Sequence, residues 1–143
     1  AENVPSQAQR LSNLIPKDSL DSEFREKLNI AENKIYNDPQ NPRCNWTPET
    51  LQEQIEIENW SIDYWHVKEY STPIMIRKEH VEQWFNARSE KQNSGYLYAL
   101  SSFISQKELQ VLNECFRKEI VGKVVEWRSV CLFMRLIKNF GNE

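Results

Sequence analysis

The segment Lys123-Val124-Val125-Glu126-Trp127-Arg128-Ser129-Val130-Cys131-Leu132-Phe133-Met134-Arg135-Leu136-Ile137-Lys138-Asn139-Phe140 decides how the fold is read. Wound as a helix, it carries apolar residues nearly all round its axis. A helix of that kind is a central one, buried on every side. Gly141 then stands where a C-terminal cap belongs. The segment therefore predicts the spine of a helical core.

Working outward from that spine, the remaining patterns point the same way. Ser105-Gln106-Lys107-Glu108 is a capping box, and Leu109, Leu112, Phe116 and Ile120 follow it on one helical face until Gly122 interrupts. Val81, Trp84, Phe85 and Arg88 suit a helix from about Lys78 to Lys91, stopped by Gln92-Asn93-Ser94-Gly95. Tyr96 to Ile104 is apolar and reads as helical. Leu20, Phe24, Leu28, Ala31 and Ile35 recur at three- and four-residue steps, which predicts an amphipathic helix entered at Asp18-Ser19 and ending near Tyr36. Asn37 to Asn45 is a connector. Thr47-Pro48-Glu49 then starts a short acidic helix, with Leu51, Ile55 and Ile57 on one side.

Residues 60–76 break the helical run. Trp60, Ile62, Tyr64 and His66 alternate as a strand would, whereas Trp65, Val67 and Tyr70 interrupt the alternation. Ser71-Thr72-Pro73 reads as a break before Ile74-Met75-Ile76. This stretch predicts a minor two-stranded β element near residues 60–77. The expected architecture is mostly α: a flexible polar N-terminal arm over residues 1–17, then a single compact domain over 18–143, of about six or seven helices.

The counts agree with one such domain. The chain has 143 residues, 39% of them hydrophobic and 27% charged, enough to bury one core. Its three glycines, at positions 95, 122 and 141, are too few for the many tight turns of an all-β sandwich. They also leave no glycine-rich phosphate-binding loop. No apolar run approaches the roughly 20 residues of a membrane span. The chain starts at Ala1 without Met, which reads as a processed form or an excised piece, and its polar first ten residues do not read as a secretion signal.

Catalytic and metal chemistry find little support in the motifs. Cys44, Cys115 and Cys131 are widely spaced, form no CxxC pair, and with two histidines cannot complete a four-ligand zinc motif. They read as reduced thiols of an intracellular protein, cytoplasmic or nuclear. Asn45-Trp46-Thr47 and Asn59-Trp60-Ser61 have the form of glycosylation triplets, a pattern that does not establish secretion. His66 and His80 lack the context of a hydrolytic triad, and the Glu49, Glu53, Glu56 and Asp63 carboxylates read as solvated helix faces. No catalytic residue, cofactor or metal is expected.

Glu79-His80-Val81-Glu82-Gln83-Trp84-Phe85-Asn86-Ala87-Arg88 resembles the third helix of a homeodomain in its Trp-Phe pair. Ala87 stands where that family reads adenine with Asn, and Ser89 and Glu90 interrupt its basic run, so the pair reads as core. Tyr64-Trp65 with Pro73-Ile74-Met75-Ile76-Arg77 is similar to the approach segment of Jumonji-type oxygenases. That family needs an iron-binding His-x-Asp/Glu, whereas His66 is followed by Val67 and Lys68, and too little chain follows Arg77 for the barrel.

Aromatic density is the remaining signal. Trp46, Trp60, Tyr64, Trp65, Tyr70, Trp84, Phe85, Tyr96 and Tyr98 crowd toward the middle of the chain, and Trp and Tyr dominate interface hot spots. The expected function is a non-enzymatic adaptor or scaffold domain. It would bind a partner protein's peptide or helix through an aromatic-lined groove of Trp60, Tyr64, Trp65, Trp84 and Tyr96. The alternative rests on charge. Residues 1–63 hold 6 basic and 12 acidic groups, and residues 64–143 hold 12 and 9. The basic half could meet nucleic acid through Lys118, Lys123, Arg128, Arg135 and Lys138.

Overall fold

A computed structural model describes residues 1–85 and 96–140. The expected continuation of the third long helix through Arg88 to Lys91, its stop at Gln92 to Gly95, and the cap at Gly141 lie outside the described residues. So do the homeodomain-like positions Ala87 and Arg88.

The decisive segment is a strand. Val124–Lys138 forms β3, and this overturns both the helical spine and the mostly α architecture built on it. The described residues are 45% helix and 25% strand, with a three-stranded antiparallel sheet in place of a minor two-stranded element. The physical reason lies in the side chains. Val124, Val125, Val130 and Ile137 branch at Cβ and lose rotamer freedom in a helix, and Trp127 and Phe133 also favour the pleated surface. A segment apolar on all sides fits a strand apolar on both faces as well as it fits a buried helix.

The other strands take their places from β3. Glu2–Asn3 forms β1, pairing antiparallel with it so that Glu2 opposes Leu132 and Asn3 opposes Cys131. Trp60–Met75 forms β2, on the other side of β3. Asn139 N donates to Asn59 O (3.2 Å) before β2 begins, and Ile76 N donates to Lys123 O (2.9 Å) after it ends, so these two strands are antiparallel. Two left-handed residues mark the strand starts: Asn59 (φ 65°) precedes β2 and Gly122 (φ 85°) precedes β3. Gly122 N also donates to Ile76 O (2.8 Å). Pro73 does not break β2, because an outermost strand tolerates a missing donor.

The helices include α1 (Ser22–Tyr36), α2 (Pro48–Ile57), α3 (Lys78–Phe85), α4 (Tyr96–Leu100) and α5 (Gln106–Glu119). Their caps follow the local sequence. Thr47 Oγ1 accepts from Thr50 N (3.2 Å) at the start of α2, with Pro48 in its first turn. Ser105 and Glu108 form the expected reciprocal box at α5. Leu109, Leu112, Phe116 and Ile120 are all buried, as their spacing predicts. The apolar run after Tyr96 is helical only to Leu100 and continues as turns. Within residues 1–17, Leu11–Leu14 is a short 3-10 turn, and Val4, Leu11 and Ile15 are buried.

The fold divides into two compact units, each assembled from separated pieces of chain. The first contains Ala1–Gln9, Tyr36–Thr72 and Trp127–Glu143; the second contains Arg10–Ile35 and Pro73–Glu126. In the first, Val4, Val130 and Leu132 form a buried cluster on one face of the sheet, covered by Trp46, Leu51, Trp65 and Met134. In the second, Phe116 is fully buried and its ring lies 5.9 Å from Trp84 and 5.5 Å from Phe85. Glu32 of α1 is also buried there, 1% exposed, and accepts from Ser12 N (3.1 Å), Ser12 Oγ and Tyr96 OH.

Candidate functional site: an aromatic sheet face

In a strand, successive side chains point to opposite faces, so the contacts of β2 sort its residues. Trp65 packs on the Val130 and Leu132 cluster, and Glu69 accepts from Arg128 Nε (2.6 Å), so this part of β2 turns its odd positions toward the core side. Its even positions turn the other way: Trp60, Ile62, Tyr64, His66, Lys68 and Tyr70. Nearer the start of β2, Asp63 accepts from Arg135 Nε and Lys138 Nζ lies 5.9 Å from the centre of the Trp60 ring. Odd now meets odd and even meets even, whereas Glu69 met Arg128. The alternation along β3 changes phase once between Leu132 and Arg135, as at a bulge. This phase change is one reason the segment's period of two is hard to see in the sequence.

The outward face of the sheet therefore carries Trp60, Tyr64 and Tyr70 from β2, and Trp127, Cys131 and Phe133 from β3. Trp60 is 37% exposed and Tyr64 is 51% exposed, while Tyr70, Trp127 and Phe133 are half-buried. Its charged residues are cations. Lys68 Nζ stands 4.9 Å from the centre of the Tyr70 ring, and the His66 ring lies 6.4 Å from that of Tyr64. Among the described strand positions of the first unit, none on this face is Asp or Glu. The carboxylates of β2, Asp63 and Glu69, lie on the core side with their arginines.

The five aromatic residues expected to line one groove separate into different roles. Trp60 and Tyr64 share the outward face, while Trp65 is on the opposite face, packed into the core cluster. Trp84 and Tyr96 belong to the second unit. There Trp84 stacks on His80, with ring centres 6.2 Å apart, and meets Phe116 edge-on. Tyr96 meets Phe85 edge-on at 6.0 Å and donates its hydroxyl to Glu32. Among the residues not singled out by sequence, Tyr70 and Lys68 join Trp60 and Tyr64. The alternation from Trp60 to His66 is the signal that could have found them, once Pro73 is allowed within the strand.

The basic residues proposed for phosphate contact are also dispersed. Arg128 and Arg135 are paired with Glu69 and Asp63, and Lys138 lies against Trp60, all in the first unit. Lys118 and Lys123 are exposed in the second. Each ion pair offsets one of the charges that phosphate binding would use.

The histidines have local partners too. His80 Nδ1 accepts from Arg77 N (2.9 Å), closing the first turn of α3. Cys44 and Cys115 are buried and Cys131 is half-buried; burial pushes the Cys115 thiol up from its ordinary value, and the nearby Glu119 charge adds to this. Cys131 Sγ donates to Asn3 Oδ1 (3.1 Å) across the β1 and β3 pair. Among the described residues, no three His, Cys, Asp or Glu side chains gather as a metal site would require. No described helix is long and apolar enough to cross a membrane. The chain matches no protein-family model, and no curated protein or solved structure matches it.

Proposed function

We propose that this chain is a non-enzymatic interaction module that binds an extended segment of a partner protein through the aromatic residues of its outward sheet face. The observation that carries this reading is the exposure of Trp60 and Tyr64 on the outermost strand. Large aromatic rings held on a backbone ladder present contact area at little cost in conformational entropy, which is why Trp and Tyr recur as binding anchors. Protein is favoured over nucleic acid because Arg128 and Arg135 are already paired with carboxylates.

The test is selection of binders from a displayed library of random peptides on the full chain, followed by comparison with the Trp60→Ala, Tyr64→Ala double variant. Binders are expected to lose affinity by about tenfold or more on the variant, while its circular dichroism matches the parent. Recovery of no binder, or of binders indifferent to both substitutions, would refute the reading. Trp65→Ala is unsuitable for this purpose, since removing a ring packed in the core cluster costs stability directly.

A further inference from the structure

The outermost position of β2 and the sorting of charge across the sheet define the partner more closely. Among the described residues β2 has β3 as its one neighbour in the three-stranded order, so from Trp60 to Tyr70 alternate residues turn their main-chain donors and acceptors toward its other edge. Such an edge is a template for one more strand, which would gain main-chain hydrogen bonds from the edge and specificity from alternate side chains. We infer that the partner segment adds to the outer edge of β2 as a β-strand, and that it is an extended acidic-aromatic peptide. This inference rests on the interaction reading above.

The side-chain chemistry follows from cross-strand pairing, in which directly opposed residues share a face. On the outward face an added strand meets Trp60, Ile62 and Tyr64 along one half of β2, and His66 and Lys68 along the next. Apolar or aromatic residues suit the first half and carboxylates the second. On the core side it meets Val67, 40% exposed, between Asp63 and Glu69, whose charges are offset by Arg135 and Arg128; an apolar residue suits this place. The acidic surplus of α2, from Glu49, Glu53 and Glu56, does not oppose this. Leu51 seats that helix on the core side, so the sheet lies between its carboxylates and Lys68. A second copy of β2 is a poor occupant, because its own outward positions from Trp60 to Tyr70 hold no carboxylate to set against Lys68.

The experiment uses a synthetic peptide of about ten residues, alternating in period two, with Tyr and Ile over one half of a face and Glu over the other. It is compared with two twins, one N-methylated at alternate residues and the other at the intervening ones. Binding to the full chain is measured by calorimetry, and hydrogen exchange is followed over residues 61–71. The parent peptide should bind. One twin should bind as well as the parent and the other should lose binding, because only one set of amides faces β2. Lys68→Glu should weaken the parent by about tenfold, and the β2 amides should exchange more slowly in the complex.

Equal tolerance of both N-methyl patterns, with binding still dependent on Trp60 and Tyr64, would overturn strand addition and leave the interaction reading standing. Failure of the peptide to bind while library peptides do so would overturn the acidic-aromatic chemistry. Capture of a single-stranded oligothymidine in its place would overturn the protein partner itself.

Discussion

At the scale of single residues, Glu32 shows how a charged side chain can be buried and still be satisfied. Its carboxylate takes donors from Ser12 N, Ser12 Oγ and Tyr96 OH, tying the segment before α1 and the first residue of α4 to the body of α1. Removing one neutral donor leaves part of a buried carboxylate unpartnered. Ser12→Ala and Tyr96→Phe are each expected to cost about 1–3 kcal/mol in urea unfolding, and a change below the error of that measurement would show the site to be solvated. Glu108, half-buried, illustrates a carboxylate nearer to solvent. Its carboxyl lies below the ordinary value chiefly through the Lys27 hydrogen bond (2.8 Å) and then through Ser105. A carboxylate lowered by folding contributes stability that is present above the unfolded value, near 4.5, and is lost as pH falls through the lower folded value. Lys27→Met should move the Glu108 midpoint upward in an NMR titration of the carboxyl groups; an unmoved midpoint would show that Lys27 does not set it.

At the scale of elements, the helices were legible in sequence, and the sheet only in the alternation from Trp60 to His66. Local chemistry explains the helices. Thr47-Pro48-Glu49 and Ser105 with Glu108 satisfy their own first-turn donors, and the Leu109 to Ile120 spacing marks one buried face without reference to anything distant. A strand has no such self-sufficiency, since its hydrogen bonds belong to another segment. The fifteen residues of β3 find theirs in β1 and β2, 49 or more positions away. Gly122 marks the boundary between the two kinds of element. A Cβ built there meets no atom within 4 Å, so the obstacle to a side chain is the backbone itself, at φ 85°. Gly122→Ala is therefore expected to cost about 1–2 kcal/mol in chemical denaturation. A D-alanine at the same position, introduced by semisynthesis, should cost less than the L form; equal costs would point to crowding instead.

At the scale of the whole molecule, the two units are interleaved along the chain, and neither is a continuous piece of sequence. β3 lies between β1 and β2 and, among the described residues, is the one neighbour each has in the sheet. A chain ending after Lys123 should therefore lose the β signal in circular dichroism altogether, while Leu28, Leu112 and Phe116 remain available to the second unit's helices. Retention of the sheet signal would mean that β1 and β2 find another partner. The candidate site was partly legible at this scale. Trp60 and Tyr64 were singled out by residue type and share the outward face. Trp65 was singled out with them but lies on the opposite side, because one step along a strand reverses the face. Trp84 and Tyr96 were chosen for being aromatic, and their rings are engaged with Phe116 and Phe85.

What the sequence determined by itself is what neighbours in the chain can settle: the caps of α2 and α5, the amphipathic face of α1, the end of the α5 pattern at Gly122, and a surplus of aromatic residues. What the tertiary structure decided is whether the apolar run from Val124 to Ile137 is a helix or a strand, and which rings of β2 face outward. Those choices rest on hydrogen-bond partners supplied by remote segments, and on a phase change in the β2 and β3 pair. Apolar residues on both faces of a strand erase the alternation that would have revealed it.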